Sequence, residues 1–144
     1  MKLLVSVAIS LSLLITYSCK EDEIPPSVKQ SFESKYPTAE NAKWKEDDDV
    51  YKVQFEINND DYEAIYSVTG GIWIETTEEI DRDELPLALL DVLNSEMYSS
   101  WEINDVARAE AADHPGLYKI QVKVGDKEEY HYYDELGNLV KKQN

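Results

Sequence analysis

The sequence predicts an α+β fold of two tandem units, each a helix followed by an antiparallel β-meander. An internal repeat is the first observation. Val50-Tyr51-Lys52-Val53-Gln54-Phe55-Glu56-Ile57 aligns with Leu117-Tyr118-Lys119-Ile120-Gln121-Val122-Lys123-Val124, keeping Tyr, Lys and Gln in place and apolar type elsewhere. Upstream, Pro25, Val28, Phe32 and Tyr36 correspond to Pro86, Leu89, Leu93 and Met97 at an offset of 61; downstream, Ala64-Ile65-Tyr66 through Gly71 corresponds to Tyr130-His131-Tyr132 through Gly137 at an offset of 66. The second observation is a change of period inside each unit, from four in the upstream stripe to two in the shared segment. Units of roughly 65 residues or fewer bury too little surface to be comfortably stable alone, so the two are expected to pack into one body.

In the first unit, residues 24–80, Ile24, Val28, Phe32 and Tyr36 form one apolar stripe of a helix, with Pro25 and Pro26 at its start, where a missing N–H does little harm. Pro37 ends it. Tyr51, Val53, Phe55 and Ile57 alternate with Lys52, Gln54 and Glu56, the pattern of a strand with one covered face, and the helix most simply supplies that cover. Asn58-Asn59-Asp60-Asp61 supplies a turn before a strand over 62–68, and Thr69-Gly70-Gly71 turns into another over 72–75. After a linker at 81–84, residues 85–144 repeat the plan with turns at Gly125-Asp126 and at 134–138. Residues 106–112 have strong helix propensity, yet their alignment with Ala42-Lys43-Trp44-Lys45-Glu46 makes them a strand.

The chain has 144 residues, 30 acidic against 14 basic, and a formal charge of −16. This balance argues against nucleic acid, whose binders need a cationic footprint. With 42% hydrophobic and 10% aromatic residues the chain is too apolar to be a disordered acidic tail. Its single cysteine cannot form an internal disulfide. Lys2 precedes an apolar run over 3–15 that is too short to span a bilayer but suits a secretory signal, so residues 1–18 are set aside as a signal peptide. Thr16-Tyr17-Ser18-Cys19 resembles a bacterial lipobox, which makes Cys19 the lipidated residue and residues 19–23 an acidic tether. Lys20-Glu21-Asp22-Glu23 resembles the surface-export signal of some Gram-negative lipoproteins. The expectation is an outer membrane lipoprotein, surface-exposed or facing the periplasm, that meets the membrane only through its lipid. Without residues 1–18 the charge is −17, concentrated at the tether, two turns and the linker. That distribution suggests an acidic rim around a less acidic sheet face.

A proline-started helix, a Tyr-x-Val-x-Phe strand and a closing Tyr-Asp-x-x-Gly-x-Leu hairpin, twice in tandem, resemble the PepSY-like domains, also described as β-lactamase-inhibitor-protein-like. The closing motif stands as Tyr133-Asp134-Glu135-Leu136-Gly137-Asn138-Leu139 and, without its Asp, as Ser67-Val68-Thr69-Gly70-Gly71-Ile72-Trp73. The resemblance covers nearly the whole chain after the tether. It implies one concave eight-stranded antiparallel sheet with helices on one side and an open face on the other, in envelope proteins mostly without assigned activity. Inhibition of a β-lactamase belongs to a remote branch of that family.

No nucleophile elbow, P-loop or dinucleotide fingerprint is present, and His114 and His131 lack the spacing of a zinc site. The reading is a non-enzyme without cofactor or metal, in which His131 is a core or sheet-face histidine. Three tryptophans and nine tyrosines beyond the signal exceed what two small cores need, and such residues dominate binding hot spots. The candidate partner-binding residues are Lys52, Gln54, Lys119 and Gln121 on the open face, with Trp44, Tyr66, Trp73, Tyr130 and Tyr132 assigned either to it or to the core. The partner is an unknown protein or peptide of the envelope or secreted, bound by an inhibitor or chaperone-like module. The alternative is a calcium or small-ligand module using the acidic tips Glu46-Asp47-Asp48-Asp49 and Asn58-Asn59-Asp60-Asp61, should these lie near each other.

Overall fold

A computed structural model describes residues 23–143; the signal segment, the lipobox and Cys19 lie outside the described residues. One eight-stranded antiparallel sheet runs in sequence order, β1 (Glu40–Asp47), β2 (Val50–Ile57), β3 (Asp60–Ser67), β4 (Trp73–Glu79), β5 (Glu102–Ala111), β6 (Leu117–Val124), β7 (Lys127–Tyr133) and β8 (Leu139–Gln143). Helix α1 (Pro26–Lys35) precedes β1, and helix α2 (Leu87–Leu93) lies in the β4–β5 connection between two short 3-10 turns, Arg82–Glu84 and Glu96–Tyr98. This is the expected α+β plan.

Each helix covers its own half of one sheet face. Val28 and Phe32 of α1 pack on Tyr51, Val53, Phe55, Ala64 and Tyr66, while Leu89 and Leu93 of α2 pack with Leu85 and Tyr98 on Val106, Ile120, Val122 and Tyr133. Burying each large apolar side chain contributes about 1.5–3 kcal/mol, so the pairs Val28/Phe32 and Leu89/Leu93 fix how each helix lies on its strands. Pro26 opens α1 within its first turn, and the Tyr36 N–H closes it on the Phe32 carbonyl at 2.8 Å. Helix α2 is shorter than the repeat predicts. Ser95 donates its hydroxyl to the Val92 carbonyl at 2.6 Å and the chain tightens into the second 3-10 turn, so Met97 is 71% exposed and Tyr98 is buried in its stead.

Residues 106–111 do lie in a strand, because β5 is hydrogen-bonded along both edges, to β4 and β6, and this pairing outweighs helix propensity. The repeat itself needs one correction. Both inner hairpins have two-residue turns, Asn58-Asn59 and Gly125-Asp126, so the offset of 67 set by β2 and β6 continues through β3 and β7. Ala64 therefore matches His131 and Tyr66 matches Tyr133; the change to 66 comes only in the next hairpin, where one repeat is a residue shorter. A one-residue slip exchanges the two faces of a strand. Asn58 and Asn59, at φ 55° and 74°, form the left-handed turn that asparagine tolerates.

The closing motif has a common logic in both repeats. Asp134 accepts the Asn138 side-chain amide at 2.9 Å and the Asn138 and Leu136 N–H groups at 2.8 and 2.9 Å, and these bonds, the side-chain one foremost, hold its carboxyl below the usual carboxylate range. Ser67 occupies the same place in the first repeat and accepts the Thr69 N–H at 3.0 Å. The glycine of each motif has positive φ and lies against its own helix: a Cβ on Gly137 would meet the Ala88 carbonyl oxygen at 3.0 Å, and one on Gly71 would meet Val28 Cγ2 at 3.1 Å.

Candidate functional site

The face away from the helices carries the alternate residues of every strand. Register places Lys43, Gln54, Glu63 and Thr77 in one row across β1–β4, and Glu79, Ala107, Lys119 and Tyr132 in another across β4–β7, with Gln121 opposite Tyr130. Thr77 and Ala107 are short, so the face is hollow there, and a cleft of about 420 Å³ spans β1 to β7. The first strand of each repeat is irregular at the rim of this cleft: the β1–β2 register shifts between Glu40 and Lys43, and the β5–β6 register between Ile103 and Val106. These irregularities bring Asn41, at φ 55°, and Asp105 into the lining. Neither residue was singled out from the sequence; a Lys-Trp-Lys run and an Ala-rich run conceal a bulge equally well.

Beside the cleft the face is knit together by a buried carboxylate. Glu75 is 3% exposed, accepts a hydrogen bond from Lys119 Nζ at 2.8 Å and one from the Tyr132 hydroxyl at 3.0 Å, and has Lys141 Nζ at 3.7 Å. Two lysines and a phenol compensate the loss of water around this carboxylate. The small side chains of β5 on this face, Ala107, Ala109 and Ala111, let groups of β4 reach those of β6–β8 across it. Ala109, Leu117 and Tyr132 form a small third core there. Burial, with Glu75 adding to it, pushes the Tyr132 phenol well above its ordinary value.

Six of the nine candidates share the open face. Gln54 is exposed there; Lys52, Lys119, Gln121 and Tyr130 are half-buried, and Tyr132 is fully buried. Lys52 is engaged by Asp47 at 2.6 Å, a bond that raises the lysine and lowers the aspartate. Lys119 lies 4.9 Å from the Tyr130 ring centre and 5.6 Å from that of Tyr132. The other three belong to the helix side. Tyr66 is fully buried beneath α1 and offers no surface; its hydroxyl is the one buried side-chain polar atom without a partner among the described residues. Trp44 packs edge-on against Phe32 at 5.3 Å, and Trp73 donates its indole N–H to Thr76 Oγ1 at 2.8 Å beneath Lys35, 3.9 Å from its ring centre. The sheet alternation that places Lys52 and Gln54 outward also places Trp44 and Tyr66 inward.

Two charge expectations change. The sheet face is not the less acidic part: the cleft is lined by five carboxylates, Glu56, Asp61, Glu63, Glu79 and Asp105, against Lys43 and Lys119. The acidic tips do not meet, because the turns at 48–49 and 58–59 flank β2 and are separated by its eight residues, about 25 Å at the rise of a strand. Among the described residues no group of three or more His, Cys, Asp or Glu is placed to hold a metal ion.

His131 lies on the helix side, fully buried, with Nε2 3.0 Å from Glu129 Oε2 and Nδ1 2.9 Å from the Tyr98 hydroxyl. A carboxylate can only accept, so Nε2–H donates to Glu129, and in the neutral imidazole Nδ1 is then the acceptor for tyrosine. The Tyr133 hydroxyl bonds the Tyr98 hydroxyl, which completes a closed cluster. His114 is exposed in the β5–β6 loop, 3.2 Å from the Asp113 carboxylate.

A helix-backed open antiparallel sheet with a hollow uncovered face defines an α+β protein of the β-lactamase-inhibitor-like (BLIP-like) fold. Solved structures with this arrangement include a DUF2874 family protein from Bacteroides ovatus, 25% identical, which matches 85% of this chain and 89% of its own with a TM-score of 0.67. A BLIP-like protein from Bacteroides fragilis is 21% identical over 85% of this chain and 88% of its own, with a TM-score of 0.65. A protein from Bacteroides eggerthii with a provisional periplasmic designation is 21% identical over 83% and 88%, with a TM-score of 0.66. No protein-family model and no curated protein matches the sequence.

Proposed function

We propose that this chain is a non-catalytic, PepSY-like lipoprotein of the cell envelope, anchored in the outer membrane through Cys19, that binds a protein or peptide partner on its open sheet face. It acts there as an inhibitor or chaperone-like module. The observation that carries this reading is the uncovered cleft of about 420 Å³, lined by the polar amides of Gln54 and Gln121 and by half-buried Tyr130, the last two on strands that the Glu75 cluster ties to β4. Concave, preorganised faces with an aromatic anchor lower the ordering cost of association. The BLIP-like fold of the solved neighbours and the provisional periplasmic designation of one of them agree with an envelope binding module.

The test uses the full chain as bait in envelope and culture extracts, with a triple variant Gln54→Ala, Gln121→Ala, Tyr130→Ala beside it. A specific partner whose retention falls about tenfold or more in the variant, at unchanged thermal stability, supports the reading. Retention lost instead on substitution of exposed helix residues such as Lys29 and Glu33, with the triple variant unaffected, overturns it. Cys19→Ser is expected to release the protein from the membrane fraction; if it stays, the anchor assignment fails.

A further inference from the structure

We infer that the open-face cleft receives a basic segment of the partner, a loop or strand carrying two or more arginines or lysines. This rests on the docking reading above and specifies what docks. Five carboxylates and two lysines line the cleft. One of the two lysines is withdrawn, because Lys119 is held by Glu75 at 2.8 Å and lies toward the Tyr130 ring. No ion pair or side-chain hydrogen bond reaches Asp61, Glu79 or Asp105, whereas Glu78 and Glu110, outside the cleft on the neighbouring strands, are paired with Arg108 and Lys35.

Like charges gathered in a concavity with protein walls reinforce one another, and the field they make favours a cation entering from outside. Irregular pairing in β1 and β5 places Asn41 and exposed Asp105 at the rim, while half-buried Glu63 stands between Gln54 and Thr77 across the face, so charge lies both within the hollow and on its edge. The lining also suits the polar part of such a segment. Gln54 and Gln121 offer amide carbonyls to its N–H donors. A second copy of the chain is a poor occupant, since both molecules carry a formal charge of −16, and an anionic membrane surface is repelled for the same reason.

The test titrates the full chain, kept in a non-ionic detergent, with three ten-residue peptides in which glycine alternates with arginine, glutamine or glutamate. Calorimetry gives the affinity and amide NMR gives the location. The arginine peptide is expected to bind about tenfold or more tighter than the glutamine one, with shifts centred on Gln54, Glu63, Gln121 and Tyr130, and to weaken steeply with added salt. The double variant Glu63→Gln, Glu79→Gln is expected to weaken it about tenfold, while Glu33→Gln, Glu96→Gln, an equal charge change away from the face, leaves it within about twofold. Equal loss in the two double variants, equal binding of the glutamine peptide, shifts centred elsewhere, or a concentration-dependent dimer seated on the cleft would each overturn the inference. The two readings separate in the capture experiment. A partner lost by the Gln54/Gln121/Tyr130 variant but retained at full strength by Glu63→Gln, Glu79→Gln leaves the docking face standing and removes the basic segment; a partner indifferent to both removes the docking face.

Discussion

In the first repeat the helix contributes Phe32 and the strand beneath it contributes Ala64; in the second the helix contributes Leu93 and the strand contributes His131 at the matching place. The bulk has moved from helix to sheet. The first core is a set of packed rings, with Phe32 edge-on to Phe55 at 5.0 Å and Trp44 6.1 Å from Tyr66. The second is mostly aliphatic around a buried polar cluster, Tyr98, His131 and Tyr133, with Trp101 5.5 Å from the imidazole. A shorter α2 and the following 3-10 turn make room for that cluster. One backbone plan thus accepts two different fillings, but a buried imidazole must have partners, so the polar filling brings Tyr98 and Glu129 with it.

Removing the cluster's centre is expected to have the largest effect. His131→Ala empties a fully buried ring site and leaves the Tyr98 hydroxyl without its acceptor and Glu129 without its donor, so a loss of about 3–5 kcal/mol in urea unfolding is expected. A loss below about 1 kcal/mol would show that the second repeat does not depend on its polar filling.

The glycines test what the repeats share. Gly137→Ala places a Cβ 3.0 Å from a helix carbonyl oxygen in a left-handed backbone, and a loss of about 3 kcal/mol is expected. Gly71→Ala meets the Val28 side chain at 3.1 Å and is expected to lose about 2 kcal/mol, since that side chain yields more readily than a backbone oxygen. Thermal unfolding that shows the reverse order would mean that α1 is the more firmly seated helix.

A subtler contrast lies in two matched hydroxyls. Tyr133 bonds Tyr98 and lies 3.4 Å from His131 Nδ1, whereas the Tyr66 hydroxyl is buried without a partner. Tyr133→Phe is expected to lose about 1–2 kcal/mol, while Tyr66→Phe is expected to change stability by less than about 0.5 kcal/mol or to raise it, because an unpartnered polar atom leaves the interior. Equal losses in chemical denaturation would contradict the difference drawn between the two cores.

Much of the architecture was legible because it rests on period. The change from period four to period two identified helix and strand, and the Tyr-x-Val-x-Phe alternation put Lys52, Gln54, Lys119 and Gln121 on the same face. What was not legible depended on counts of single residues. Reading the downstream offset as 66 and not 67 equated Tyr66 with Tyr132, which lie on opposite faces, although Tyr66 is the counterpart of Tyr133. The acidity of the cleft was hidden for a related reason. Glu63 and Glu79 are separated in sequence by a hairpin, and only the pairing of β3 with β4 and the two irregular strands bring them together with Asp105. Composition reports how many carboxylates there are, whereas register decides which of them face one another.

The smallest effect is also the one that separates the repeats by chemistry alone. Asp134 and Ser67 serve the same turn, but only Asp134 titrates. Its carboxyl is held below the ordinary value of 3.8, chiefly by the Asn138 side-chain bond and then by backbone N–H groups. A carboxyl lowered by folding stabilises the folded chain above its unfolded value, and that contribution disappears as pH falls through the lower folded value. Urea midpoints measured from pH 5 down to pH 2.5 are therefore expected to fall less steeply in Asp134→Asn than in the natural chain. Ser67→Ala, which removes the equivalent bond from the first repeat, is expected to lower the midpoint by the same amount at every pH. A pH slope unchanged in Asp134→Asn would mean that the closing turn of the second repeat draws nothing from its charge, and that serine and aspartate do the same work there by hydrogen bonding alone.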